Sequence, residues 1–233
     1  DKSSKIFAGV NLTRNLVNEQ PFVLTPSVLA NFGKNISRHP NISCTVFNKK
    51  EILKRKMMAL WDVGKGSTNE PRFVHLIYKS KKISKSANKI AIIGKGVTYD
   101  TGGLSLKPAD YMLTMKMDMA GAGCVLGGFE ALGQIQPKNI EVHGLIPSVE
   151  NMPGPNAYKP DDVVQGLSKK TIEIINTDAE GRVILSDAIE YANRLKVDEM
   201  VDLATLTGAC MVALGNYTAG LFSNNKRLTN KLL

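Results

Sequence analysis

The segment Asn176-Thr177-Asp178-Ala179-Glu180-Gly181-Arg182 sets two carboxylates two residues apart, with an arginine directly behind them, after the β-branched run TIEII. On a strand-to-helix turn such side chains converge on one point, and like charges held that close are costly unless a cation lies between them. By itself the pattern also suits an acidic helix N-terminus that complements the helix dipole. Both readings stay open on this segment alone.

A second cluster, Lys95-Gly96-Val97-Thr98-Tyr99-Asp100-Thr101-Gly102-Gly103, follows the apolar run KIAIIG, with Lys107 shortly after it and Asp118 in the next helical stretch. The two clusters together supply four carboxylates, Asp100, Asp118, Asp178 and Glu180, which two divalent ions would neutralise. A phosphate-binding loop is excluded, because neither GxxxxGK[ST] nor GxGxxG occurs. None of His39, His75 and His143 has a second histidine at ligand spacing, so a metal site here is oxygen-rich with one amine. His75 and His143 read as strand residues.

The elements that must position these groups follow from apolar spacing. Residues 6–19 have helical periodicity, Pro26 opens a second helix, and 51–64 reads as one amphipathic helix. Strands are expected at 72–78, 89–94, 140–147, 171–176 and 199–206, with helices at 110–132 and 182–195 between them. That alternation predicts an α/β fold, a mixed but mostly parallel sheet flanked by helices. Ligands of such sheets collect outside the carboxyl ends of the strands. GKGVTYDTGGLSLK, SVENMPGPNAYKPDD, NTDAEGR and TLTGA each follow a strand, so four strand ends are expected to direct polar groups to one edge.

Over 233 residues, 43% hydrophobic and 22% charged composition excludes disorder, collagen-like repeats and a disulfide-dense scaffold. No apolar run approaches membrane-spanning length and DKSSKIFAGV lacks the apolar core of a signal peptide, so a cytoplasmic protein with no membrane partner is expected. Cys44, Cys124 and Cys210 form no CxxC pair and read as reduced core fillers. The net charge of +9 is uneven: residues 1–90 carry 17 Lys+Arg against 5 Asp+Glu, and residues 91–233 carry 13 against 16. The basic excess clusters at 49–56 and 79–89 with no interleaved aromatic for base stacking, which favours solvated faces over a nucleic-acid surface.

GKGVTYDTGGLSLKP, MKMDMAGA, ENMPGPNAYKPDDVV, TIEIINTDAEGRVILSDAIEYA and DLATLTGA resemble, in order and spacing, the M17 leucyl aminopeptidases, also called cytosol aminopeptidases. The likeness extends to RNLVNEQP and LTPSVLA near the start, and the loop wording looks most like the trypanosomatid branch. It implies that residues 1–233 are part of that family's catalytic domain, incomplete at its C-terminal end and without the family's N-terminal domain. One metal would be held by Lys95, as a neutral amine, with Asp100, Asp118 and Glu180. The other would be held by Asp100, Glu180, and the side chain and carbonyl of Asp178. Zn²⁺ and Mn²⁺ are the implied ions, with Mg²⁺ or Co²⁺ accepted at the exchangeable position.

The resemblance also implies roles. Lys107 would polarise the scissile carbonyl, and Arg182 would hold a bicarbonate acting as general base toward a metal-activated water. Asp118 would meet the free α-amine of a peptide substrate. Met115, Thr205, Thr207 and Gly208 would line the pocket for a first side chain such as Leu; ordinary helix core is the competing reading for Met112, Met115 and Met119. Ala120, Val183 and Ser186 depart from the family's commoner residues without touching an implied ligand. A homohexamer is implied as well. The alternative, a basic nucleic-acid-binding relative, has no use for an intact set of Lys95, Lys107 and Arg182, so catalysis is favoured.

Overall fold

A computed structural model describes all 233 residues. The chain begins with helices α1 (Lys2–Asn18) and α2 (Pro26–Ile36), then β1 (Ile42–Phe47), α3 (Lys49–Arg55), α4 (Met58–Gly64), β2 (Arg72–Lys79), β3 (Asn88–Gly94) and β4 (Gly96–Asp100). The short α5 (Ala109–Met112) and the long α6 (Ala120–Ile135) follow, and then β5 (Ile140–Asn151), β6 (Val163–Gln165), β7 (Thr171–Glu173) and α7 (Glu180–Arg194). The last elements are β8 (Glu199–Leu203), α8 (Ala209–Leu214) and α9 (Lys226–Leu232).

The main sheet runs β1-β2-β5-β3-β8, with β4 also paired to β5. The β1–β2 and β2–β5 pairs are antiparallel, whereas β3–β5, β3–β8 and β4–β5 are parallel. Helices cover both faces, and the strands alternate between the two cores as a pleat requires. Val74, Leu76, Val142 and Ile146 pack with Leu16, Leu29, Leu126 and Phe129 of α1, α2 and α6. Phe73, Ala91, Ile93 and Leu145 pack with Ile52, Leu60, Val63, Ile184 and Ala188 of α3, α4 and α7. The α/β architecture with its mixed, mostly parallel sheet agrees with the pattern in the sequence.

Several local expectations are corrected. The expected single helix over 51–64 is two, because Lys56 takes a left-handed conformation (φ 61°) that ends α3. The helix expected at 110–132 is broken at Thr114 (φ 74°), and a 3₁₀ turn Met115–Met117 leads into Asp118 ahead of α6. Of the expected strand at 171–176 only β7 forms, paired antiparallel with β6 in a separate ribbon. NTDAEGR therefore leaves no strand of the main sheet. Strand β4 lies inside what reads as a glycine-rich loop, and β1 carries no expected counterpart. The cysteines are free; Cys44 packs against the core as expected, whereas Cys124 is exposed and Cys210 is half-buried outside it.

His75 and His143 are strand residues as expected, on the α7 side of the sheet, and both are buried. His143 Nε2 lies 2.9 Å from Glu141 Oε1, His75 Nε2 lies 2.8 Å from His143 Nδ1, and His75 Nδ1 lies 3.1 Å from the Tyr191 hydroxyl. The carboxylate only accepts, which fixes the direction of the whole chain. Tyr191 donates to His75, His75 to His143, and His143 to Glu141. Burial, reinforced by His143, Arg55 and Lys89, pushes His75 down to about 4.

Candidate metal centre

Lys95 sits in the single residue between β3 and β4. Its N–H donates to Leu203 O (3.0 Å) and its carbonyl accepts from Ala122 N (2.9 Å), which ties it to β8 and to the start of α6. Gly121 makes that approach possible, because a Cβ there would lie 1.9 Å from Leu203 O. Strand β4 delivers Asp100, after which Gly102 and Gly103 (φ 85° and 66°) turn the chain back and Lys107 N donates to Thr101 O at 2.9 Å. Asp178 and Glu180 arrive on a 3₁₀ turn, Thr177–Ala179, and the first residue of α7; the Asn176 side chain accepts from Asp178 N at 2.8 Å. Thr177 locks the two loops together. Its hydroxyl donates to Gly102 O (2.6 Å) and accepts from Ser105 N (2.8 Å).

The result is two lysines each held between two carboxylates. Lys95 Nζ is 2.8 Å from both Asp118 Oδ1 and Glu180 Oε1, and also donates to Thr205 O at 2.9 Å. Lys107 Nζ is 3.0 Å from Asp100 Oδ2 and 2.5 Å from Asp178 Oδ1. Asp100, Asp118 and Glu180 are buried and offer oxygens within 4.8 Å of one another. Thr205, although exposed, donates its hydroxyl to Asp118 Oδ1 at 2.7 Å.

Two ammonium groups only half-neutralise four carboxylates, so burial and mutual repulsion act on the acids. Burial, aided by Asp100 and Asp118 and opposed by Lys95, raises Glu180 to about 7. Burial likewise outweighs Lys95 and raises Asp118 to about 6. Asp178 is also raised, by burial and by the neighbouring Asp100. Burial pushes Lys95 down, but Glu180 and Asp118 outweigh it and hold the ammonium above the ordinary lysine value. Asp118 Oδ2 is buried with no hydrogen-bond partner. Such an orphaned oxygen, in a net-negative pocket of hard oxygen donors beside one amine, fits divalent cations.

The family model for the cytosol aminopeptidase family, catalytic domain, matches residues 11–233. The chain belongs to the cytosol aminopeptidase family. Among similar proteins, each named "Probable cytosol aminopeptidase", that of Aquifex aeolicus is 56% identical over 221 residues, covering 94% of this chain and 44% of the relative. That of Persephonella marina is 50% identical over 233 residues (100% of this chain, 46% of the relative). That of Helicobacter hepaticus is 49% identical over 220 residues (94% and 46%). The chain thus spans less than half the length of these cytosol aminopeptidases.

The fold brings Lys95, Asp100, Lys107, Asp118, Asp178, Glu180 and Thr205 together. Arg182 lies in the first turn of α7, exposed and without an ion pair, and Thr207 and Gly208 are exposed ahead of α8. Met115 is half-buried in the 3₁₀ turn, while Met119 is fully buried in the core. The neutral groups around the centre carry no signal in the sequence. The Tyr158 hydroxyl donates to Thr177 O at 2.6 Å, and Asn151 Nδ2 donates to Asp100 Oδ1 at 2.8 Å. No charge pattern marks them, and their partners are distant in the chain.

Outside the centre, the basic clusters are partly used locally. Lys49 lies 4.9 Å over the Trp61 ring, Arg55 lies 4.0 Å over Phe47, and Lys79 pairs with Glu141 at 3.1 Å. No helix is long and apolar enough to cross a membrane.

Proposed function

We propose that this chain carries the two-metal centre of an aminopeptidase, within the family's catalytic domain, that removes the N-terminal residue from peptides. The observation that carries the reading is the buried group Asp100, Asp118 and Glu180, with Asp118 Oδ2 unpartnered and Lys95 alongside. Lys95, Asp100, Asp118 and Glu180 would hold one ion; Asp100, Asp178 and Glu180 would hold the other. Zn²⁺ and Mn²⁺ suit this donor set, and Mg²⁺ or Co²⁺ suits the all-oxygen position. When bound, the ions supply a water nucleophile active at neutral pH and Lewis-acid polarisation of the peptide carbonyl.

The chain's own residues do the rest. Lys95 must give up its proton to ligate, and burial already pushes it that way. Asp118 and Glu180, which oppose that loss, would no longer hold the proton if both served as ligands. Asp118, a buried carboxylate that accepts from the Thr205 hydroxyl, would meet the substrate's free α-amine, which an internal residue lacks. Lys107, half-buried with its ammonium near Asp100 and Asp178, would stabilise negative charge developing on the carbonyl oxygen. Arg182, free of protein partners, would hold a bicarbonate as general base. Met115 and the segment from Thr205 to Gly208 would form an apolar first pocket suited to Leu. A homohexameric assembly and a cytoplasmic location complete the proposal.

The test is hydrolysis of a panel of aminoacyl fluorogenic substrates after metal stripping and resupply with Mn²⁺, Zn²⁺, Co²⁺ or Mg²⁺. Leucyl turnover that disappears on stripping and returns on resupply is expected. Full turnover at verified zero metal content would sink the assignment.

A further inference from the structure

Asn151, the last residue of β5, has no exposed surface. Its Nδ2 donates to Asp100 Oδ1 at 2.8 Å and to Thr177 O at 3.0 Å. Both neighbours are acceptors, so the amide can face them only through its nitrogen. Gly102 N donates to the same Asp100 Oδ1 at 2.9 Å. That oxygen's two lone pairs are thereby taken by protein, while Oδ2 faces Lys107 Nζ at 3.0 Å. The arrangement has a cost, because Asn151 Oδ1 is buried without a partner. A residue that merely filled space would not carry it.

We propose that Asn151 is a positioning residue for the metal centre. Together with the Gly102 N–H it occupies Asp100 Oδ1 and so limits Asp100 to a single donor oxygen, Oδ2, aimed at the cations. An unrestrained carboxylate could chelate one ion through both oxygens or rotate away, and neither leaves one oxygen in a fixed place to be shared. The donor is neutral, so it orients the carboxylate without adding charge to a pocket that already holds four. The inference rests on the two-metal reading above.

Mn²⁺ titration of metal-stripped protein, followed through the electron paramagnetic resonance signal of free Mn²⁺, tests it on wild type, Asn151→Leu and Tyr158→Phe. Tyr158 donates to the same Thr177 carbonyl without touching Asp100, so Tyr158→Phe controls for loss of support at Thr177. Asn151→Leu should bind Mn²⁺ about 10- to 100-fold more weakly, and Tyr158→Phe, which loosens Thr177 alone, should lose at least about tenfold less than Asn151→Leu does. If Asn151→Leu does not fold, Asn151→Ser carries the same expectation, since its hydroxyl is too short to reach Asp100. A folded Asn151 variant with wild-type Mn²⁺ affinity overturns the proposal, as does an equal loss in Tyr158→Phe. A wild type that binds no Mn²⁺ refutes the two-metal reading itself and this inference with it.

Discussion

Replacing His75 with phenylalanine should change how stability depends on pH. In the unfolded chain the imidazole protonates near pH 6.5, whereas in the folded protein burial and the nearby His143, Arg55 and Lys89 hold it down to about 4. The unfolded state therefore binds more protons below pH 6.5, and His75 costs the fold stability as the pH falls through that window. Between pH 7 and pH 4.5 the loss integrates to about 2.5 kcal/mol. Other groups act in the opposite sense. Glu180, Asp118 and the buried Asp187 are raised to about 7, 6 and 6, so each adds stability on acidification. The wild-type profile alone is then ambiguous, and the gap between wild type and His75→Phe is the quantity to read. At neutral pH the variant should be less stable by about 1–3 kcal/mol, because the Tyr191 hydroxyl and His143 Nδ1 lose their partner. By pH 4.5 that gap should shrink or reverse by about 2.5 kcal/mol in urea denaturation. A gap that stays constant with pH would refute the buried neutral imidazole.

Gly121→Ala should push the start of α6 away from β8, because the new Cβ would overlap Leu203 O and lie 2.9 Å from Lys95 N. About 1–3 kcal/mol of destabilisation and, from displacement of Lys95 and Asp118, a roughly 100-fold loss of kcat/KM are expected; wild-type kinetics in this variant would contradict the packing. Lys107→Ala should keep its metals and lose about 10²–10³ in kcat, whereas Asp178→Ala should lose metal as well as activity, both read by metal analysis beside kinetics. A Lys107→Ala protein that emptied of metal would show the role assigned to it to be wrong. Neutralising several lysines within 49–56 and 79–89 should leave peptidase activity unchanged and reveal no salt-dependent DNA binding; a steep salt slope that those variants flatten would argue for a nucleic-acid surface.

The charged members of the centre were legible because their chemistry is local: Asp178 and Glu180 share one turn, and Lys95, Asp100 and Lys107 fall within thirteen consecutive residues at the two ends of β4 and just after it. Their supports were not, since Asn151, Thr177 and Tyr158 act through neutral hydrogen bonds across distant segments. The fold class followed from alternating apolar runs, but element limits yielded to backbone details that periodicity does not encode. Left-handed Lys56 and Thr114 each cut an apolar pattern that continues past them, so one expected helix became two and Asp118 moved out of α6. Strand β4 was hidden by flanking glycines even though Val97, Thr98 and Tyr99 favour a strand. Residues 174–176 have strand-like composition, yet only β7 finds a partner, in β6.

The central claim, two ions shared among five ligands, is tested most directly by anomalous diffraction from crystals soaked in Mn²⁺. Two peaks about 3.5–4 Å apart are predicted, one beside Lys95 and Asp118 and the other beside Asp178, with Asp100 and Glu180 between them. A single peak, or peaks away from these residues with Lys95 and Lys107 still bound to their carboxylates, would contradict it.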